Sequence, residues 1–144
     1  MLRVDGKKTV EKPPEEVWRM LTDPAALRQT IPGCEELVPT GPNRFRIALR
    51  LGVGIVKGRF AGEAELKDIE EGRNYTLEVH AKGTLGFIEG KTHVRLERLG
   101  EKRTEVHYES EGHVGGIVAS VGSRFFEEIA RTFTEEFFER LARE

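Results

Sequence analysis

Residues Leu51–Leu66 read LGVGIVKGRFAGEAEL and hold four glycines within eleven positions, with Lys57 and Arg59 among them. Two readings of this stretch lead to different folds. In a phosphate-binding loop the glycines lie between a strand end and a helix N-terminus, where free backbone N–H groups and the helix dipole meet the anion. Here no helical period follows Gly62. Val56, Gly58, Phe60, Gly62, Ala64 and Leu66 fall on one side of a period-two pattern, and Lys57, Arg59, Glu63, Glu65 and Lys67 fall on the other. This is a hairpin turning at Gly52 and Gly54, then one long strand whose glycines allow curvature or the close approach of another group.

The same alternation extends on both sides. Phe45, Ile47, Leu49 and Leu51 alternate with Arg44, Arg46 and Arg50, and Tyr75, Leu77, Val79 and Ala81 alternate with Thr76, Glu78, His80 and Lys82. Thr92, Val94 and Leu96 oppose His93, Arg95 and Glu97, and Val106 and Tyr108 oppose Glu105, His107 and Glu109. Turn residues at Gly41-Pro42-Asn43, Glu71-Gly72-Arg73-Asn74 and Gly100-Glu101-Lys102 space these runs as a meander. An antiparallel sheet with one dry and one charged face follows.

Ahead of the sheet, Arg3–Val10 reads as an opening strand. Pro13-Pro14 with Glu15 and Glu16 starts a short helix running to about Leu21, and Asp23 with Pro24 caps a second that Pro32-Gly33 ends. After Gly115-Gly116 the period becomes 3.6: Ile117, Val121, Phe125, Ile129, Phe133, Phe137 and Leu141 recur every fourth residue, with Val118, Gly122, Phe126, Ala130 and Phe138 beside them. One long amphipathic helix closes the chain. The simplest way to bury these surfaces is an α+β helix-grip fold: a curved antiparallel sheet of six or seven strands wrapped around the last helix, as one domain over residues 1–144. A curved sheet and one helix leave space between them, so the fold predicts an apolar cavity.

Composition narrows the function. A formal charge of -2 from 23 basic and 25 acidic residues gives no basic field for nucleic acid. The single Cys34 excludes an internal disulfide and points to a reducing, cytoplasmic compartment. No apolar run approaches the roughly 20 residues that span a bilayer. Glutamate far outnumbers aspartate and arginine outnumbers lysine, the balance expected of a thermophilic source.

The segments IPGCEEL (Ile31–Leu37), GVGIVKGRFAGEAELKD (Gly52–Asp68), GTLGFIEG (Gly83–Gly90) and VGGIVASVGSRFFEEIARTFTEEFFERL (Val114–Leu141) together resemble the CoxG family, the G-subunit family of carbon monoxide dehydrogenase, within the START-like SRPBCC superfamily. The resemblance runs through nearly the whole chain. It implies a helix-grip fold and an accessory role beside molybdenum hydroxylase subunits: recruiting the enzyme to the membrane, or aiding its assembly or electron transfer, with no established chemistry of its own. Some members carry an extension after the helix that is thought to contact membrane. The present sequence ends three residues after Leu141, so peripheral association at the inner face of the membrane would have to come without that anchor.

The expected ligand is a hydrophobic small molecule, a quinone or a lipid. The cavity would be lined by Val56, Phe60, Leu77, Val79, Val94, Leu96, Val106, Tyr108, Val118, Val121, Gly122 and Phe125, widest beside the small residues of 116–122 unless large neighbours such as Trp18 fill it. Inward polar groups reduce to Tyr108, Thr92, Ser110 and Asp68, which provide no acid–base pair, so no catalysis and no cofactor are expected. Cys34 lacks a nameable base. His80, His93 and His107 share the charged face without a familiar metal spacing. The alternatives are a cyclase- or hydrolase-like enzyme using the same cavity, and a protein-interaction module with the cavity collapsed.

Overall fold

The structure, a computed structural model, describes residues 2–53, 56–116 and 122–143. Strand β1 (Leu2–Val10) leads into helices α1 (Pro14–Thr22) and α2 (Pro24–Thr30). Strands β2 (Cys34–Gly41), β3 (Arg44–Val53), β4 (Val56–Glu70), β5 (Asn74–Gly83), β6 (Gly86–Gly100) and β7 (Arg103–Gly115) follow, and helix α3 (Ser123–Arg143) comes last. The seven strands form one antiparallel sheet in the order β1-β7-β6-β5-β4-β3-β2, a meander in which the opening strand joins the last one. The expected helix-grip architecture is the one observed.

Local chemistry explains the helices. Pro14 begins α1, where its missing N–H has no partner to lose, and Glu15 and Glu16 sit at the positive end of the dipole. Asp23 caps α2 by accepting from the Ala26 N–H at 3.2 Å. Both helices close one end of the sheet. Val17, Trp18, Met20, Leu21 and Leu27 are buried there against Phe45, Ile47, Leu66, Tyr75, Val94, Val106 and Leu141. Trp18 meets the Tyr75 ring edge-on at 5.5 Å and donates from Nε1 to Glu71 at 3.1 Å. Thr104, fully buried, donates to the Lys12 carbonyl at 2.7 Å and ties β7 to the strand–helix link.

Two local expectations are corrected, and one open choice is decided. The 3.6 period predicts a helix from Ile117, but Gly122 has φ +93°, a left-handed conformation no α-helix contains, so α3 begins at Ser123. Residues 117–121 lie outside the described part of the chain. Asp68 does not point inward: at φ +51° it occupies a β-bulge between Lys67 and Glu70, and the extra residue leaves Asp68 exposed and packs Ile69 against the core instead. The glycines of β4 do not interrupt its pairing, since β3 and β4 keep an unbroken register from Val53↔Val56 to Arg44↔Glu65. At Gly62 the need is close approach: a Cβ there would stand 1.8 Å from the His80 carbonyl oxygen on β5.

Candidate functional site

The concave face has a closed end and a loose end. At the closed end the large cluster around Val17, Tyr75, Val106 and Leu141 is almost free of solvent. Toward the β3–β4 and β5–β6 hairpins lies a second cluster built on buried Phe60 and Ala81, with Leu51, Leu85, Ile88, Val114 and Ile129 only partly covered. Between the two runs a stripe of registers on the same face: Val79 opposite Gly90, Gly90 opposite Gly112, Leu77 opposite Thr92, and Thr92 opposite Ser110. All of these are partly exposed although they lie on the inner face. The Thr92 and Ser110 hydroxyls hydrogen-bond each other at 2.9 Å.

The sequence-predicted lining residues are thus divided. Phe60, Val94 and Val106 are buried in the two clusters, and Leu77, Val79 and Leu96 pack partly buried against the larger one. Tyr108 is half-buried and lays its ring 5.5 Å from that of Phe138 on α3. Its hydroxyl points over β1, 2.5 Å from where a Cβ on Gly6 would stand, so the glycine makes room for the phenol. Burial pushes the Tyr108 phenol up, and Glu135 adds to the effect. Gly122 is exposed just ahead of α3. Val118 and Val121 lie outside the described residues, as do the side chains of Val56 and Phe125.

The convex face is an ion-pair lattice. Glu35 accepts from Arg50 Nε at 3.1 Å and from Arg59 Nε at 3.0 Å, and the Arg50 bond, with Arg59 adding, holds its carboxyl below the usual range. Lys67, at 2.5 Å, does the same for Glu78. Two concavities open on this face, one of about 160 Å³ among Asp5, His93, Arg95, His107 and Glu109, the other of about 80 Å³ among Arg44, Glu63, Glu65, Lys67, Glu78 and His80. His80 and His93 stay apart. His107 instead meets Glu105 at 2.7 Å and Glu97 at 3.2 Å, the one His–carboxylate cluster of metal-ligand size among the described residues. Sequence reading misses it because Glu97 and Glu105 face each other only through the β6–β7 register. Their mutual repulsion already accounts for the basic neighbours His107 and Arg95.

Cys34 is half-buried, its thiol pushed up by burial and donating to the Glu36 carbonyl at 3.5 Å, the reverse of what an activated nucleophile requires. No helix among the described residues is long and apolar enough to cross a membrane.

A curved antiparallel sheet gripping one C-terminal helix, its inner face largely apolar, is the START-like helix-grip fold. Residues 6–144 match the sequence profile of CoxG, the G-subunit of carbon monoxide dehydrogenase, and the chain belongs to that family. Among solved structures, a conserved protein from Geobacillus kaustophilus superposes with a TM-score of 0.94 at 30% identity, over 99% of this chain and 93% of its own. A START superfamily protein from Mycobacterium smegmatis gives 0.75 at 14% identity, over 97% and 94% of the two chains. The Zhui aromatase/cyclase from Streptomyces sp. R1128 gives 0.70 at 14%, over 97% and 90%. These last two likenesses are of fold. No curated protein matches the chain.

Proposed function

We propose that this protein is a non-enzymatic accessory factor that holds a hydrophobic small molecule, a quinone or a lipid, between its concave sheet face and the start of α3, and that it serves a molybdenum hydroxylase. The observation that carries the reading is the divided core. Close-packed interiors leave few voids, so an inner face whose aliphatic side chains stay partly exposed between two buried clusters supports a space kept open there. Family membership supports the partner, since the family is named for carbon monoxide dehydrogenase. The fold supports the ligand, because a curved sheet closed by one helix is concave and apolar on this face.

A cyclase- or hydrolase-like enzyme would need an acid–base pair facing inward. Among the described residues the inner face of β4–β7 between the two clusters offers aliphatic, aromatic, glycine and hydroxyl groups, suited to binding and orienting a molecule, and Arg98, of inward parity at the closed end of β6, is paired with Glu15 of α1, which supports the non-enzymatic reading. The protein acts in the cytoplasm, peripherally at the inner face of the membrane where its partner works. Native mass spectrometry of protein taken from its own cells tests the ligand. A co-purifying amphiphile supports the reading, whereas an empty protein that also fails to bind quinones or fatty acids at saturation refutes it. Recovery of hydroxylase subunits in a pull-down without any ligand would favour a plain interaction module.

A further inference from the structure

Thr92 and Ser110 stand out on the inner face because their neighbours there are apolar or absent. Along the strands they are flanked by Val94 and Tyr108 on one side and by Gly90 and Gly112 on the other, and across the sheet by Leu77 and Val4. The two glycines face each other directly. Among the described residues a Cβ on Gly90 would meet a single atom within 4 Å, the Glu111 carbonyl oxygen at 3.8 Å, so none of them fills the space above it. A Cβ on Gly112 would stand 2.8 Å from the Glu89 carbonyl oxygen, so that position stays bare as well. A notch one residue pair wide therefore adjoins the hydroxyl pair, and both lie between the two apolar clusters.

The hydrogen-bond inventory gives this notch a chemistry. Two hydroxyls offer two O–H donors, and their mutual bond at 2.9 Å uses one. Among the described residues neither hydroxyl has another partner, so one donor remains to be satisfied. Both residues are partly exposed, so the remaining donor is open to water or to a ligand oxygen that takes the water's place. The register neighbours carry no charge. Lys8, which shares the inward parity of β1, stands four residues along from Val4, about 13 Å at roughly 3.3 Å per residue. Arg131 of α3 acts on the neighbouring Tyr108 phenol but is opposed there by Glu135, so among the described residues a carboxylate or phosphate head would meet no uncompensated cation beside the hydroxyl pair.

We infer that Thr92 and Ser110 seat the polar end of a neutral amphiphile, one whose head carries a carbonyl or hydroxyl oxygen, with Gly90 and Gly112 leaving room for it and its hydrocarbon running along the partly covered aliphatic side chains. This rests on the cavity reading above and adds the class of ligand and the residues that select it.

The test uses the full chain and three probes in calorimetric titration: 2-methyl-1,4-naphthoquinone, the shape-matched hydrocarbon 2-methylnaphthalene, and decanoate. Wild type should prefer the quinone to the hydrocarbon by about tenfold, the scale of one net hydrogen bond. The nearly isosteric Thr92→Val/Ser110→Ala variant should lose that preference and keep its hydrocarbon affinity. Gly90→Val, which fills the notch, should lose both aromatic probes while melting no lower than wild type. A double variant that keeps the tenfold preference, or decanoate binding as tightly as the quinone, overturns the head-group assignment while leaving the cavity standing. Failure of wild type to bind any probe overturns the cavity and this inference together. If the double variant fails to fold, the Gly90→Val result decides: undiminished quinone binding there overturns the seat.

Discussion

Substituting the glycines at 62 and 90 by alanine should move stability in opposite directions, though both lie on the inner face of neighbouring parts of one sheet. At position 62 the new Cβ would fall 1.8 Å from the His80 carbonyl oxygen and 2.7 Å from the Ala81 Cα, backbone atoms that cannot swing aside. Restoring a contact of 3.0 Å requires β4 and β5 to separate by about 1.2 Å on top of their usual spacing of roughly 4.8 Å. That separation breaks the local ladder bonds, each worth about 0.5–1.5 kcal/mol net, and loosens Phe60 and Ala81 beside them. A loss of about 3 kcal/mol follows, about a 12 °C fall in Tm for a chain of this size at about 4 °C per kcal/mol. At position 90 the Cβ meets one atom among the described residues, at 3.8 Å, and the backbone needs no left-handed conformation, so alanine should stabilise by about 0.5–1 kcal/mol through the less flexible unfolded chain. Urea unfolding followed by circular dichroism measures both. A Gly62→Ala variant within about 1 kcal/mol of wild type, or a Gly90→Ala variant that is clearly destabilised, would refute the assignment of crowding to one glycine and open space to the other.

Leu141→Ala removes a fully buried side chain from the closed end and should cost about 2–5 kcal/mol, read as a fall in the urea midpoint with an unchanged slope. Acid should unfold the protein through Glu35 and Glu78. Their folded pKa values lie below the unfolded 4.5, so their contribution is complete above that pH and is lost as pH falls through the depressed folded values. The Tm should hold from pH 7 to about pH 5 and then drop, and Glu35→Gln should flatten the drop; a Tm that declines steadily from pH 7 would contradict this. Glu97→Lys turns a like-charged cross-strand pair with Glu105 into an opposite one and should raise stability by a few tenths of a kcal/mol, an effect that high salt erases.

Most of the architecture is legible in the sequence because it follows from period and punctuation. Alternation marks strands β3 to β7, Pro14 and Asp23 mark the helix starts, and the apolar row from Ile129 to Leu141 marks α3. The departures are local. Parity assigns Asp68 inward, and one bulge residue reverses parity without any change in composition. Periodicity starts α3 too early because Gly122 fits the apolar row of a helix while adopting a conformation outside it.

The candidate site is only half legible. Thr92, Ser110 and Tyr108 are visible as polar residues in apolar rows, but Gly90 and Gly112 look like any other strand glycines. Their meaning depends on which residue stands across from which, and that is decided by turn lengths and bulges summed along the whole meander. The stretch Leu51–Leu66 shows the division clearly. By itself its alternation determined that it is strand and which side chains share a face, because a period of two is a property of the local backbone. Only the tertiary structure decided that Gly62 is held against the His80 carbonyl and that Phe60 anchors the second apolar cluster, because those contacts come from β5, a separate strand laid alongside.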